Sequence, residues 1–226
     1  MNTRMQKCLA WGMALAVLAV TCYQAYLIRP KAYEKAFADI LFDGGTWIEA
    51  YDGADHSMTF SEFYEYGDEM GTTEDQKTFA LLDLDDDGTP ELILPLVFGA
   101  NLGYDNIVSY LILRYAEGEV LGYSVFFRGL YPLKADGSFM ASAGAGDWGI
   151  YTISEFSRET YSTEAYAQIQ SYDAPETETG IGHICRVEGQ EVDAETFYKA
   201  AAEWDKKADV TFQKLSKWNW WRCALR

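Results

Sequence analysis

Thr78-Phe-Ala-Leu-Leu-Asp83-Leu-Asp85-Asp-Asp87-Gly88-Thr-Pro-Glu91-Leu-Ile-Leu-Pro-Leu-Val-Phe98 sets two short apolar runs on either side of an acidic turn. Runs of that length, bounded by Asp and Gly, predict two strands joined by a tight loop. Within the loop, carboxylates stand at alternate positions around a single glycine. A hard cation such as calcium takes six to eight oxygen ligands from a tightly turned segment, and this spacing supplies several of them. Five carboxylates within nine residues, Asp86 included, repel one another unless water or a cation neutralises them. The alternative is an acidic β-turn with no ion, since Asp and Gly also favour turns for backbone reasons.

The loop is not an EF-hand. Asp83, Asp85 and Asp87 fit positions one, three and five, Gly88 fits six, Thr89 fits seven and Glu91 fits nine. Position twelve falls on Leu94, which has no side-chain oxygen, and the flanks read as strands where an EF-hand has helices. The pattern D-x-D-x-D-G-x-x-E, set strand–loop–strand from Leu81 to Leu94, resembles the calcium loops of integrin-type FG-GAP repeats. The resemblance implies calcium as the ion, with Asp83, Asp85, Asp87 and Glu91 as side-chain ligands and Thr89 as a backbone ligand. A propeller needs several such repeats and this chain has one, so the propeller fold is not implied.

Outward from the loop the β signal continues. Residues 108–115 and 120–127 flank Glu117-Gly118, residues 130–133 and 138–142 flank Asp136-Gly137, and residues 181–187 and 191–192 flank Glu188-Gly189. Each reads as a hairpin. Residues 149–156 read as a further strand, and residues 162–172 fit strand and helix equally. Tyr33, Phe37, Ile40 and Leu41 recur at helical spacing and predict a helix over 30–43, stopped by Gly44-Gly45. Thr59-Phe-Ser-Glu62 has the form of a capping box, and Asp193 is placed to cap a last long helix. The expected fold is α+β: an N-terminal membrane helix, then a mainly antiparallel β-meander packed against N- and C-terminal helices.

Residues 1–29 form a separate piece, and residues 30–226 form the domain. Arg4 and Lys7 precede an uncharged run over 8–28, which ends at Arg29. The run is long enough to cross a bilayer as a helix, and no clean A-x-A cleavage site appears where one is needed. An uncleaved single-pass anchor in the cell membrane is the expectation. Ala19-Val-Thr-Cys22 resembles a bacterial lipoprotein signal, which would put the anchor on Cys22 instead, and a cleaved signal peptide would release the domain. All three readings put residues 30–226 outside the cytoplasm. The order of anchor, acidic loop, meander and final helix resembles that of uncharacterised surface proteins of Gram-positive bacteria.

The chain carries 18 basic and 35 acidic residues. Three basic and no acidic ones lie in residues 1–29, which leaves 15 against 35 for the rest, a formal charge of −20. Such a domain repels nucleic acid, so no nucleic-acid partner is expected.

No other segment assembles a recognisable catalytic group. Gly144-Ala-Gly146-Asp-Trp-Gly149 fits G-x-G-x-x-G but precedes a strand, where phosphate binding needs a helix N-terminus. His183 and Cys185 share one face of a strand without a nucleophile signature. Cys185 and Cys223 are the two cysteines of the domain and follow no disulfide or zinc pattern. Trp47, Tyr51, Phe60, Phe63, Tyr64 and Tyr66 make segment 47–66 the best candidate surface for a glycan or protein partner. The tail Lys214–Arg222 mixes Trp with basic residues and reads as packed on the domain. The expectation is a membrane-anchored calcium-binding module with a structural or partner-binding role. The alternative is a cell-envelope hydrolase acting on glycan or peptide through carboxylates the sequence does not single out.

Overall fold

In the computed structural model the acidic stretch joins β3 (Thr78–Leu82) to β4 (Glu91–Val97), which pair antiparallel with Leu81 opposite Leu92. The described residues are 30–50, 56–69, 77–97, 107–126, 129–130, 132–144, 146–175 and 181–224. β4 continues into β5 (Ile107–Ala116), and β5 turns through Glu117-Gly118 into β6 (Glu119–Phe126). β1 (Thr46–Glu49) lies parallel to β6 and carries β2 (Ser57–Thr59) on its outer edge. With β12 (Gln213–Lys214) beside β3, these strands form a seven-stranded sheet. A second sheet of five strands is an antiparallel meander of β7 (Phe139–Gly144), β8 (Asp147–Phe156), β9 (Tyr161–Asp173), β10 (Ile181–Val187) and β11 (Gln190–Val192).

The helices are α1 (Ala32–Phe42), α2 (Phe60–Glu69), α3 (Ala194–Asp205) and α4 (Lys217–Ala224). α1 starts afresh at Lys31, whose backbone is extended and whose N–H donates to Glu34 Oε2 at 2.7 Å. The capping box before α2 forms as expected: Thr59 N–H donates to Glu62 Oε2 and Glu62 N–H donates to Thr59 Oγ1. Asp193 caps α3 by accepting from Thr196 N–H at 2.7 Å.

The α+β expectation is overturned. The described part of the protein is mainly β, with two sheets and few, short helices. Two physical reasons account for the difference. Residues 161–173, ambiguous by periodicity, form a long strand that pairs on both edges. The strands also divide between two sheets, because burial on both faces of β4 and β5 requires a layer on each side. The expected membrane helix lies in residues 1–29, outside the described residues. Among the described residues no helix is long and apolar enough to cross a membrane.

Alternation along the central strands sorts the core. Leu92, Leu94, Leu96, Leu111 and Leu113 face α1, α2 and α4. There Phe37 and Phe79 meet the buried Trp220 of α4. Each such ring, fully withdrawn from water, contributes roughly 1.5–3 kcal/mol. Ile93, Tyr110, Ile112, Leu121 and Tyr123 face the other way, toward Leu130, Leu133, Phe139, Ile153 and Phe156. A third cluster joins the five-stranded sheet to α3 through Ile150, Ile169, Cys185, Phe197 and Trp204. Trp47 fills the space that glycine leaves at Gly122: a Cβ there would come within 2.3 Å of the indole ring.

A second Asp-Gly turn, Lys134–Ser138, leads into β7 and sits next to the acidic loop. Lys134 is buried, donates to Asp209 Oδ1 at 2.8 Å and lies over the Trp204 ring. Asp136 accepts from Ser138 Oγ and from Lys207 Nζ, each at 2.6 Å. Trp204 Nε1 donates to Ser138 Oγ at 2.8 Å.

Candidate metal centre

The acidic loop is shaped by its own side chains. Asp83 Oδ1 accepts from Asp87 N–H at 3.1 Å and Oδ2 from Gly88 N–H at 2.9 Å. Asp87 Oδ1 accepts from Thr89 N–H at 2.7 Å. These carboxylate-to-amide bonds stand in for a backbone turn. They bend the chain through left-handed conformations at Asp86 (φ 58°) and Gly88 (φ 86°). Asp tolerates that region better than most residues, and glycine enters it without strain.

Glu91 opens β4 on the same face as Ile93, looking toward the second sheet, and is 0% exposed. Its Oε2 accepts from Leu84 N–H at 2.9 Å, and its Oε1 is buried without a hydrogen-bond partner. The Asp85 side chain is 5% exposed, and its Oδ1 is likewise buried and without a partner. Asp83, Asp85 and Glu91 each offer a carboxylate oxygen, and these atoms lie within 4.8 Å of one another. The three form an acidic triad that can hold a metal ion. Buried carboxylate oxygens left without a donor are costly, and a bound cation is one of the few groups that would satisfy them.

Of the five residues expected to ligate, the fold thus converges three. Asp87 points away: its Oδ2 lies 2.8 Å from Nη2 of Arg114. Thr89 joins the loop through the N–H it donates to Asp87.

Arg114 is the residue that sequence reasoning missed. It lies on β5 next to Leu113, whose partner across the sheet is Leu92, so it stands beside Glu91. Nη2 approaches Asp85 Oδ2 at 3.3 Å and Nε approaches Glu91 Oε1 at 3.7 Å. The guanidinium also lies over the Phe156 ring, 5.2 Å from its centre. A signal was present, since Arg114 is the one charged side chain in Ile107–Ala116. A charge inside an apolar strand needs a partner, and the acidic loop supplies it.

The electrostatics follow from three carboxylates, of Asp85, Asp87 and Glu91, sharing one guanidinium. Burial pushes Glu91 up to about 8, and the nearby charges of Asp85 and Asp87 add to that. Burial and then the Asp87 charge raise Asp85. For Asp87, burial acts upward but the bond from Arg114 and the Thr89 N–H outweigh it, so its carboxyl is lowered. Arg114 is raised, because its acidic neighbours outweigh its own desolvation. At the buried end Glu91 Oε1 and Arg114 Nε lie 3.7 Å apart, and neither has a hydrogen-bond partner.

Among the described residues the other sequence candidates do not assemble into a site. Gly144 pairs with Asp147 across a hairpin turn, with Gly146 at φ 91°, so the glycine-rich segment opens no helix. His183 is exposed, with Nδ1 3.3 Å from Ser171 Oγ, while Cys185 is buried in the core. Cys185 and Cys223 are both free thiols. Trp47, Phe63 and Tyr64 are buried and Phe60 packs against them. Tyr51 and the Tyr66 side chain lie outside the described residues. In the tail, Trp220 is buried and Trp218 is 76% exposed. No protein-family model, curated protein or solved structure matches the chain.

Proposed function

We propose that the loop Asp83–Glu91 binds calcium, and that the ion pins the β3–β4 hairpin in a calcium-binding module displayed at a bacterial cell surface. The observation that carries this reading is the pair of buried, unpartnered oxygens, Asp85 Oδ1 and Glu91 Oε1, beside Asp83. Calcium suits the site better than magnesium, because carboxylates held by a turn give irregular oxygen geometry, which calcium accepts. The resemblance to FG-GAP loops supports the same ion. The surface location rests on the apolar run over residues 8–28, which would tether the domain where calcium is plentiful. The ion's role is structural: its binding energy adds to folding energy.

Burial also weighs against the hydrolase alternative. Glu91 has the raised pKa of a general acid, but it is fully buried. An open cavity of about 370 Å³ beside Arg114 is lined also by Glu117, Glu119, Phe156 and Arg158, and no residue of the triad lines it.

The test is thermal melting of the full chain in detergent, with calcium, with magnesium and with chelator. Calcium is expected to raise the melting temperature more than magnesium, and Asp85→Asn to abolish the rise. A native protein that melts at the same temperature in calcium and in chelator would remove the reading.

A further inference from the structure

We propose that Arg114 sets the affinity of the ion site by withholding Asp87 from it; this rests on the ion-binding reading above. The loop spacing puts Asp87 among the ligands, yet the oxygens that converge belong to Asp83, Asp85 and Glu91 alone. Both oxygens of Asp87 are engaged elsewhere. Oδ1 accepts from Thr89 N–H at 2.7 Å and Oδ2 accepts from Arg114 Nη2 at 2.8 Å. The same guanidinium touches Asp85 only through Oδ2, at 3.3 Å, which leaves Oδ1 turned inward without a partner. Arg114 thus divides the four expected carboxylate ligands into three that face the ion and one that faces itself.

The geometry that enforces this comes from β5. Register fixes Arg114 beside Glu91, its side chain is 18% exposed, and the Phe156 ring lies under its guanidinium. Arginine keeps its charge at every accessible pH and presents donors in a rigid fork, so the restraint is permanent. It acts twice on an arriving cation. It removes one anionic ligand, and it places a like charge next to the two that remain in contact with it. Ligand charge count is the main lever on calcium affinity in such loops. Arg114 therefore holds the site weaker than the same loop would be with Asp87 free to ligate.

Calorimetric titration of calcium into the full chain in detergent micelles tests this, using the native protein, Arg114→Gln, Asp87→Asn and the double variant. Arg114→Gln is expected to bind about tenfold tighter, because one more carboxylate becomes available and a positive charge is lost. Asp87→Asn alone is expected to change affinity less than about threefold, since a residue held off the ion contributes little. The double variant is expected to lose most of the gain. Native protein that binds calcium while Arg114→Gln binds no tighter overturns the role of Arg114 alone. Loss of about tenfold or more in Asp87→Asn does the same, by making Asp87 a ligand. That arm also decides the matter if Arg114→Gln does not fold. Absence of binding in both the native protein and Arg114→Gln overturns the ion reading together with this one.

Discussion

Two Asp-Gly turns lie side by side in this protein. A methyl group added at Gly137 would sit 3.5 Å from the Asp83 carbonyl oxygen. Their sequences look alike, yet their charges are handled in opposite ways. In the turn Lys134–Ser138 the charges and polar groups are matched in pairs: Lys134 with Asp209, Asp136 with Lys207, Ser138 with Trp204. In the loop Asp83–Glu91 three carboxylates, of Asp85, Asp87 and Glu91, share Arg114, and two buried oxygens have no hydrogen-bond partner. An acidic turn is therefore not a metal site because it is acidic. It becomes a candidate where buried carboxylate oxygens converge without hydrogen-bond partners.

The largest expected effect belongs to the matched turn. Trp204→Ala should destabilise the protein by about 3–5 kcal/mol, the usual cost of removing a buried indole. Denaturant unfolding should give the same loss in calcium and in chelator; a loss that calcium repaired would break the contrast between the turns. Next comes the loop itself. At one hundred times the dissociation constant, calcium should add about 2.7 kcal/mol of stability to the native protein, and Asp85→Asn should gain nothing.

Acid and base separate the turns by sign. In the ion-free protein Glu91 keeps its proton up to about pH 8, whereas its ordinary value is 4.5. The folded form then binds more protons than the unfolded form between those limits, so stability falls as pH rises through that window. Asp136 runs the other way. Burial opposes its charge, but the bonds from Lys207 and Ser138 pull it down to about 2 from 3.8. Its contribution is present above the unfolded value and is lost as pH falls toward 2. Unfolding midpoints in chelator, taken from pH 2 to 8, should show both slopes. Glu91→Gln should flatten the upper one and leave the lower one in place. The smallest effect is Lys207→Ala. The pair it breaks is about half exposed on both sides, so the cost should stay within about 1 kcal/mol by denaturant unfolding.

What the sequence disclosed and what it concealed divide along the same physical line. Local chemistry was legible: the caps at Thr59 and Asp193, the helix that begins at Ala32, the three Gly turns and the alternate carboxylates all depend on residues a few positions apart. Partners across the fold were not. Arg114 meets Asp87 across 27 residues of chain, and only the register of β4 against β5 brings them together. Alternation predicts which face a side chain takes, but not which strand will lie beside it. That is also why one meander was expected where two sheets form, and why the parallel pairing of β1 with β6 left no trace. Of the expected ligands, Asp83, Asp85 and Glu91 bring carboxylate oxygens together, while Asp87 pairs with Arg114, a residue no local pattern could supply.

The contact of α4 with α1 has a consequence for how the chain is made. Lys217 meets Asp43 across 174 residues, and Trp220 completes the cluster around Phe37 and Phe79. A chain emerging from its N-terminal side reaches the α1 segment early, yet the surface that covers it arrives only with β12 and α4. Until then an apolar helix face and the edge of β3 stay open to wrong partners. Folding of the seven-stranded sheet is thus governed by when residues 213–224 become available. A chain that stalls before them would be a target for chaperones or proteases rather than a shorter version of the same domain.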